Sequence, residues 1–376
     1  IFKNKIKNKD TIYNYKGILK DYKQLRDTKI FRDRRKDKIS SLLKINKDKI
    51  KIQIHEDCHK YYSYFFFPNR KDGIAITCEG IGDYSRGSVS TIKKGNFKLK
   101  SYSLDNHIGN IYKYTTALLK MKPAQHEYKV MGLAPYATID EINKCFKYFN
   151  EILKIKGLKV IFKKKPKDLY FHLQNKLKNF RFDVIAGALQ KFTEKKLFEW
   201  FYSCTKKLKL KTFYFSGGVA QNIKAGMSLN LSKKFNKVLI PVTSGDSSLS
   251  IGACFKSASD FCEKNYLNKD NYIKHIDNIY LGPQIAKLEI EKFIKQKKIK
   301  NKYLIKKNIT AKYIAKEIFN ENIIGRCSGR MEFGMRALGN RSILCDPRFF
   351  SNIRKINLKI KKRDFWMPFT PSIIKE

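Results

Sequence analysis

The sequence predicts an α/β protein, and three observations carry that prediction. Two apolar strands each run into a glycine turn and then a helix pattern, in "KTFYFSGGVAQNIKAGMSLN" and "KVLIPVTSGDSSLSIGACF". Upstream, "GIAITCEG", "GSVSTIKK" and "FKLKSYSL" alternate apolar and polar residues at the period of a strand. Between them "DVIAGALQKFTEKKLFEWFYSC" repeats its apolar residues at the period of a helix.

Taken in order, residues 1 to about 50 are basic and helical in character, with "KDKISSLLKI" as the best helix. Residues 51 to 135 read as a short strand, a helix carrying His55 and His59, and the three-strand meander. Residues 139 to 210 read as mostly helical, and the two strand-turn-helix units follow. A turn-rich joint near "NIYLGPQ" opens a second domain with helix "ITAKYIAKEIFN", strand "IIGRCS" and a loop rich in arginine. The expected boundaries are 1–262 for the first domain, 263–281 for the joint and 282–376 for the second. No internal repeat interrupts this order.

The 376 residues suit two domains, and a 42% apolar content suffices for two cores. With 80 Lys and Arg against 33 Asp and Glu, the net charge is +47. Such a charge fits nucleic acid or an anionic membrane surface. The lysines, however, run along almost the whole chain beside an excess of Ile and Asn, as in "IFKNKIKNKD", and all three have A/T-rich codons. A biased genome accounts for them, and no nucleic-acid-binding signature stands above that background. Eight cysteines without a CxxC pair indicate neither a disulfide framework nor a zinc ribbon, which fits a reducing cytoplasm. No apolar run reaches the ~18 residues of a membrane span. The chain opens on Ile1 and stops at "TPSIIKE", which reads as a piece of a longer protein at both ends.

Three constellations carry chemistry. Gly217 and Gly218 end one strand and Gly245 precedes Asp246 after the next, so backbone can approach a ligand there while the following helix directs N–H groups at it. Single turns of this kind usually only reverse the chain; two after successive strands make a site. In "HEDCHKYYSYFFF", His55 and His59 are four apart and share one helix face, the spacing of a two-histidine metal site and equally of an ordinary histidine pair. Glu79, Asp83 and Asp246 are the carboxylates available to complete a site for Fe(II), Zn or Mn. In "SGRMEFGMRALGNRSILCDPR", Arg330, Arg336, Arg341 and Arg348 stand six, five and seven apart, which is neither helical nor strand spacing, so the stretch predicts a loop converging on an anion.

"HEYKVMGLAPYA", "SGGVAQNIKAGMSLN", "TSGDSSLSIGA" and "GRMEFGMRALGNRSILCDPR" together resemble the O-carbamoyltransferases of the nodulation and antibiotic-tailoring type. The resemblance runs from about residue 50 to the end. It implies an actin-like (ASKHA, ribonuclease-H-like) nucleotide-binding domain followed by the beginning of a YrdC-like α/β domain. The implied activity forms carbamoyl adenylate from carbamoyl phosphate and ATP, with Mg, and passes the carbamoyl group to a hydroxyl, commonly of a sugar or secondary metabolite. Position by position, it implies a divalent metal, Fe(II) first, on His55, His59, Glu79 and Asp246. Glu127 and Lys129 fall in the segment lining the cleft, with Lys129 toward a phosphate. Gly217, Gly218, Asn222 and Gly245 fall on nucleotide turns. Arg330, Arg336, Asn340, Arg341 and Ser342 fall on the cassette that would hold carbamoyl phosphate and the ATP phosphates, Arg336 being catalytic together with Lys129.

Three positions depart from the family pattern. Glu79 replaces an aspartate, which threatens the metal geometry; Lys60 replaces a small residue and brings positive charge beside the cation site; Met335 replaces a proline and loosens the cassette. Two other functions compete. A threonylcarbamoyl-type tRNA transferase would profit from the charge but has no use for the arginine cassette, and a non-enzymatic nucleic-acid-binding protein would explain the charge alone. The resemblance implies no specific nucleic acid, no membrane and a cytoplasmic location.

Overall fold

The computed structural model describes residues 28–297 and 299–374. The helical expectation for the first residues therefore lies outside the described part up to residue 27. In chain order the elements are helices α1 (Thr28–Leu43) and α2 (His55–Phe65), strands β1 (Gly73–Cys78), β2 (Gly87–Lys93) and β3 (Asn96–Ser103), and helices α3 (Ile108–Leu118), α4 (Glu127–Leu133) and α5 (Ile139–Asn150). A hairpin of β4 (Leu153–Lys156) and β5 (Lys159–Phe162) precedes helices α6 (Leu169–Leu177) and α7 (Phe182–Leu208). Strand β6 (Thr212–Ser216), helix α8 (Ile223–Leu231), strand β7 (Lys237–Leu239), helix α9 (Leu249–Lys264) and the single turn α10 (Lys269–Tyr272) complete the first of two compact units, which divide between Ile276 and Asp277.

The fold class is mixed α/β. The first unit is built on a five-stranded sheet in the order β3-β2-β1-β6-β7. The meander is antiparallel as its alternation predicts, whereas β6 pairs parallel to β1 and β7 parallel to β6. Strand β6 is covered on both faces. Phe213 and Phe215 pack against Phe201 of α7, tilted and edge-on, with ring centres 4.8 and 5.1 Å from it, while Tyr214 between them meets Tyr64 of α2 at 5.0 Å. Burying each such side chain stabilises the fold by roughly 1.5–3 kcal/mol, so the strand end at Ser216 is firmly placed. The opposite face is sealed by α2 and α9 through Tyr61, Tyr64, Phe65 and Cys262 over Ala75 and Ile92.

Three expectations differ from the structure. Residues 51–54 form no strand; they run as extended chain into α2. The stretch 139–210 holds the β4–β5 hairpin among its helices. Arg341, placed by its spacing in a loop, begins strand β9.

The second unit contains α11 (Lys287–Gln296), α12 (Ala311–Phe319), β8 (Ile324–Cys327), β9 (Arg341–Leu344) and α13 (Phe350–Lys355), with β8 and β9 antiparallel around the cassette.

Candidate functional site

The parallel strands β1, β6 and β7 end on the same edge of the sheet, where an open α/β sheet binds ligands. Helix α2 is tied to all three ends. The side chain of Ser216, at the end of β6, donates to the carbonyl of His59 at 2.9 Å, and the Tyr62 hydroxyl donates to the carbonyl of Val242 beyond β7. At the end of β1, Asp83 Oδ2 accepts from the His55 N–H at 3.0 Å. Asp83 thus caps the helix start, where Ile54 has no side chain to do so, and stands outside the ligand group; the expectation that it serves as a metal carboxylate is corrected.

His55, His59, Glu79 and Asp246 are brought together, with one ligand atom from each lying within 4.8 Å of the others. Glu79 Oε2 is 2.6 Å from His55 Nε2 and 3.4 Å from His59 Nε2; Asp246 Oδ1 is 3.6 and 3.5 Å from the same nitrogens, which are 3.2 Å apart. Donors bound tetrahedrally at zinc-like lengths stand about 3.4 Å apart, so a divalent ion fits between these four with small adjustments. The longer arm of Glu79 reaches the histidines rather than missing them.

Electrostatics agree. Burial works to lower His59, but the carboxylates of Asp246 and Glu79 overcome it and push the imidazole up to about 9. His55 is raised against its burial by Glu79. Burial works to raise Glu79, and both histidines hold it down; His59 lowers Asp246. The two carboxylates thus favour positive charge at this centre. A dication supplies it while leaving both rings neutral, the form in which they ligate. Lys60 brings no free charge to this centre: it is 6% exposed and its ammonium is 2.6 Å from Asp57.

The glycine turn divides its tasks. Gly217 adopts φ +94°, and a Cβ there would stand 2.5 Å from the Cys78 carbonyl oxygen, so this glycine lets β6 pass β1. Gly218 is exposed and a Cβ would meet nothing within 4 Å, which leaves its backbone open to a ligand. Asn222 caps α8 through the Ala225 N–H at 3.0 Å and exchanges two amide bonds with Gln190, at 2.9 and 3.0 Å. Gln190 also accepts from the Tyr112 hydroxyl at 3.1 Å. Asn222 therefore holds the turn in place. Gly245 is buried directly before Asp246. Glu127 and Lys129 are half-buried on α4, and Glu127 accepts from the Ala124 N–H at 2.6 Å.

In the second unit the cassette is organised around a residue that the spacing of arginines hid. Glu332 is 7% exposed, and its Oε1 accepts the N–H groups of Leu338, Asn340 and Arg341 at 2.8, 2.7 and 3.1 Å. Burial works to raise its carboxyl, but these backbone donors hold it down at about 2. Arg330 donates to the carbonyls of Gly282 and Leu281, and Arg341 to those of Ser328, Asn340 and Gly329. Asn340 donates to the Arg330 carbonyl at 2.8 Å, and Ser342 accepts from the Gly339 N–H at 3.0 Å. Arg348 forms a forked pair with Asp346, so its expected share in an anion site is corrected to an internal ion pair. Arg336 is exposed, as is Met335.

Two family profiles match the sequence: Carbamoyltransferase N-terminus over residues 2–255 and Carbamoyltransferase C-terminus over residues 315–376. The chain belongs to the carbamoyltransferase family. It is 30% identical over 363 residues to an uncharacterized protein of Methanocaldococcus jannaschii, covering 89% of this chain and 58% of that one. It is 28% identical over 333 residues to nodulation protein NolO of Bradyrhizobium diazoefficiens, covering 86% and 58%. The chain thus spans less than two thirds of the length of the curated relatives it matches. Among solved structures, HypF of T. kodakarensis aligns over 63% of this chain and 39% of its own with 12% identity and a TM-score of 0.35.

Proposed function

We propose that this chain is part of an ATP-dependent O-carbamoyltransferase. Its first unit is read as an actin-like domain that binds a divalent metal, Fe(II) first, and nucleotide. Its second unit is read as the beginning of a YrdC-like domain that forms carbamoyl adenylate. Carbamoyl phosphate, water and ATP give carbamoyl adenylate, phosphate and pyrophosphate; an acceptor hydroxyl, sugar-like or of a secondary metabolite, then takes the carbamoyl group and releases AMP. The observation that carries this reading is the convergence of His55, His59, Glu79 and Asp246 on the edge of the sheet where β1, β6 and β7 end, beside the open backbone of Gly218.

In this reading the four side chains hold the ion, which supplies a positive anchor for nucleotide phosphates. The Gly218 backbone and the start of α8 face the nucleotide, and Lys129 meets a phosphate. Arg336, on the exposed turn of the cassette, grips the carbamoyl donor, since guanidinium forks match phosphate oxygens. Glu332 supports this by keeping the loop's shape without using the arginine heads.

The experiment separates the two half-reactions in the full-length protein. Arg336→Ala should abolish carbamoyl-phosphate-dependent pyrophosphate release while transfer from chemically supplied carbamoyl adenylate survives. His59→Ala should show the reverse weighting, with metal content lost. Normal pyrophosphate release together with failed transfer in Arg336→Ala would reverse the assignment of the two units.

A further inference from the structure

Glu56 follows His55 in the chain, yet it is not one of the four ligands; its carboxylate reaches into the β1–β2 loop. It is 4% exposed, and Oε1 accepts from the N–H of Tyr84 at 2.7 Å, the N–H of Ser85 at 2.6 Å and the hydroxyl of Ser85 at 3.2 Å. That loop begins with Glu79. It is closed on itself by the Glu79 N–H on the Arg86 carbonyl at 3.0 Å and the Gly82 N–H on the Ser85 carbonyl at 2.8 Å. Arg86, 4% exposed, braces it from within by donating to the Gly80 carbonyl at 3.0 Å and the Leu104 carbonyl at 2.5 Å. So braced, the loop is held together by its own bonds, and its place relative to α2 is set by what crosses between them.

Besides Glu79 itself, two carboxylates cross. Asp83 leaves the loop for the His55 N–H, and Glu56 leaves the helix for Tyr84 and Ser85. The fit is close: a Cβ on Gly82 would stand 2.8 Å from Glu56 Oε1 and 2.9 Å from Glu79 Oε1. Since His55 and His59 ride on the helix and Glu79 on the loop, this exchange sets the distance between nitrogen and oxygen donors. We infer that Glu56 is a positioning residue of the metal centre, fixing Glu79 against the histidines through the Tyr84 and Ser85 amides. This rests on the reading of the four-residue cluster as a metal site.

Reach and charge are separable. Glu56→Gln keeps an oxygen at the same length, Glu56→Asp keeps the charge one methylene short of the amides, and Glu56→Ala keeps neither. In the full-length protein, Mn(II) affinity measured by EPR should fall about 10–100-fold in Glu56→Ala and Glu56→Asp, the usual range for partners that orient a ligand, and stay within about threefold in Glu56→Gln. The visible spectrum of bound Co(II) should change in Ala and Asp, since Glu79 no longer meets the ion in place; a role in folding alone would lower the melting temperature without altering that spectrum. Gly82→Ala, which wedges Glu56 from Glu79, should weaken Mn(II) like Asp and serves if Glu56→Ala fails to fold. His59→Ala separates the premises: unchanged Mn(II) binding there sinks the metal centre itself. Lost binding in His59→Ala with unchanged affinity in Glu56→Asp and Gly82→Ala, or Glu56→Gln as weak as Glu56→Asp, sinks only the role of Glu56.

Discussion

At Gly217 the backbone stands at φ +94° with the Cys78 carbonyl 2.5 Å from where a Cβ would be, whereas at Gly218 there is open space. Gly217→Ala should therefore destabilise the first unit by at least the roughly 1–3 kcal/mol of a strained backbone, seen as a lower urea midpoint. Gly218→Ala should leave the unfolding free energy within ~0.5 kcal/mol of the parent and instead weaken ATP binding about tenfold in calorimetry. A large loss of stability in Gly218→Ala would remove the nucleotide role of this turn. The same contrast governs what the sequence disclosed. His55 and His59 declare themselves by spacing, and Glu79 and Asp246 by standing at strand ends. Glu56 was silent, because an acid in a first helical turn ordinarily only complements the helix dipole; only the fold reveals that its carboxylate leaves the helix for the loop.

Among the elements, those with long periodic patterns were legible: α7, the meander and both strand-turn-helix units. The β4–β5 hairpin was not, since each strand has four residues, too few for alternation to register. It is fixed by tertiary bonds, from Trp200 Nε1 to the Leu158 carbonyl and from the Ser103 hydroxyl to the Val160 carbonyl, both 2.8 Å. The cassette was read through its arginines, yet its shape depends on Glu332. Because backbone donors hold that carboxyl at about 2, below its ordinary value, it contributes stability that is complete above the usual carboxylate range and is lost as pH falls toward 2. The amide resonances of Leu338, Asn340 and Arg341 should titrate together in that acid range. Glu332→Gln should abolish this titration, and Glu332→Ala should open the loop to proteolysis at neutral pH; independent titration of the three amides would show that no shared carboxylate holds them.

Over the whole molecule the net charge is +47, while the candidate centre sets two acids, Glu79 and Asp246, beside two histidines. Dispersed lysine and a local acidic cluster make opposite demands: the first attracts any polyanion, the second a small cation. Attraction by dispersed charge is counterion release, which carries no sequence information and falls steeply with salt. We expect tRNA, random RNA and duplex DNA to bind alike at 50 mM salt, and each affinity to drop by about 10³–10⁵ by 200 mM if six to ten phosphates are neutralised. ATP binding in the presence of Mg, which rests on a few defined contacts, should change far less over the same range. The measurement is a salt titration of each ligand on one protein preparation. Binding of one tRNA that persists at 200 mM salt while the other polyanions are released would require base or shape contacts, and would turn the reading from a small-molecule hydroxyl acceptor toward a tRNA acceptor.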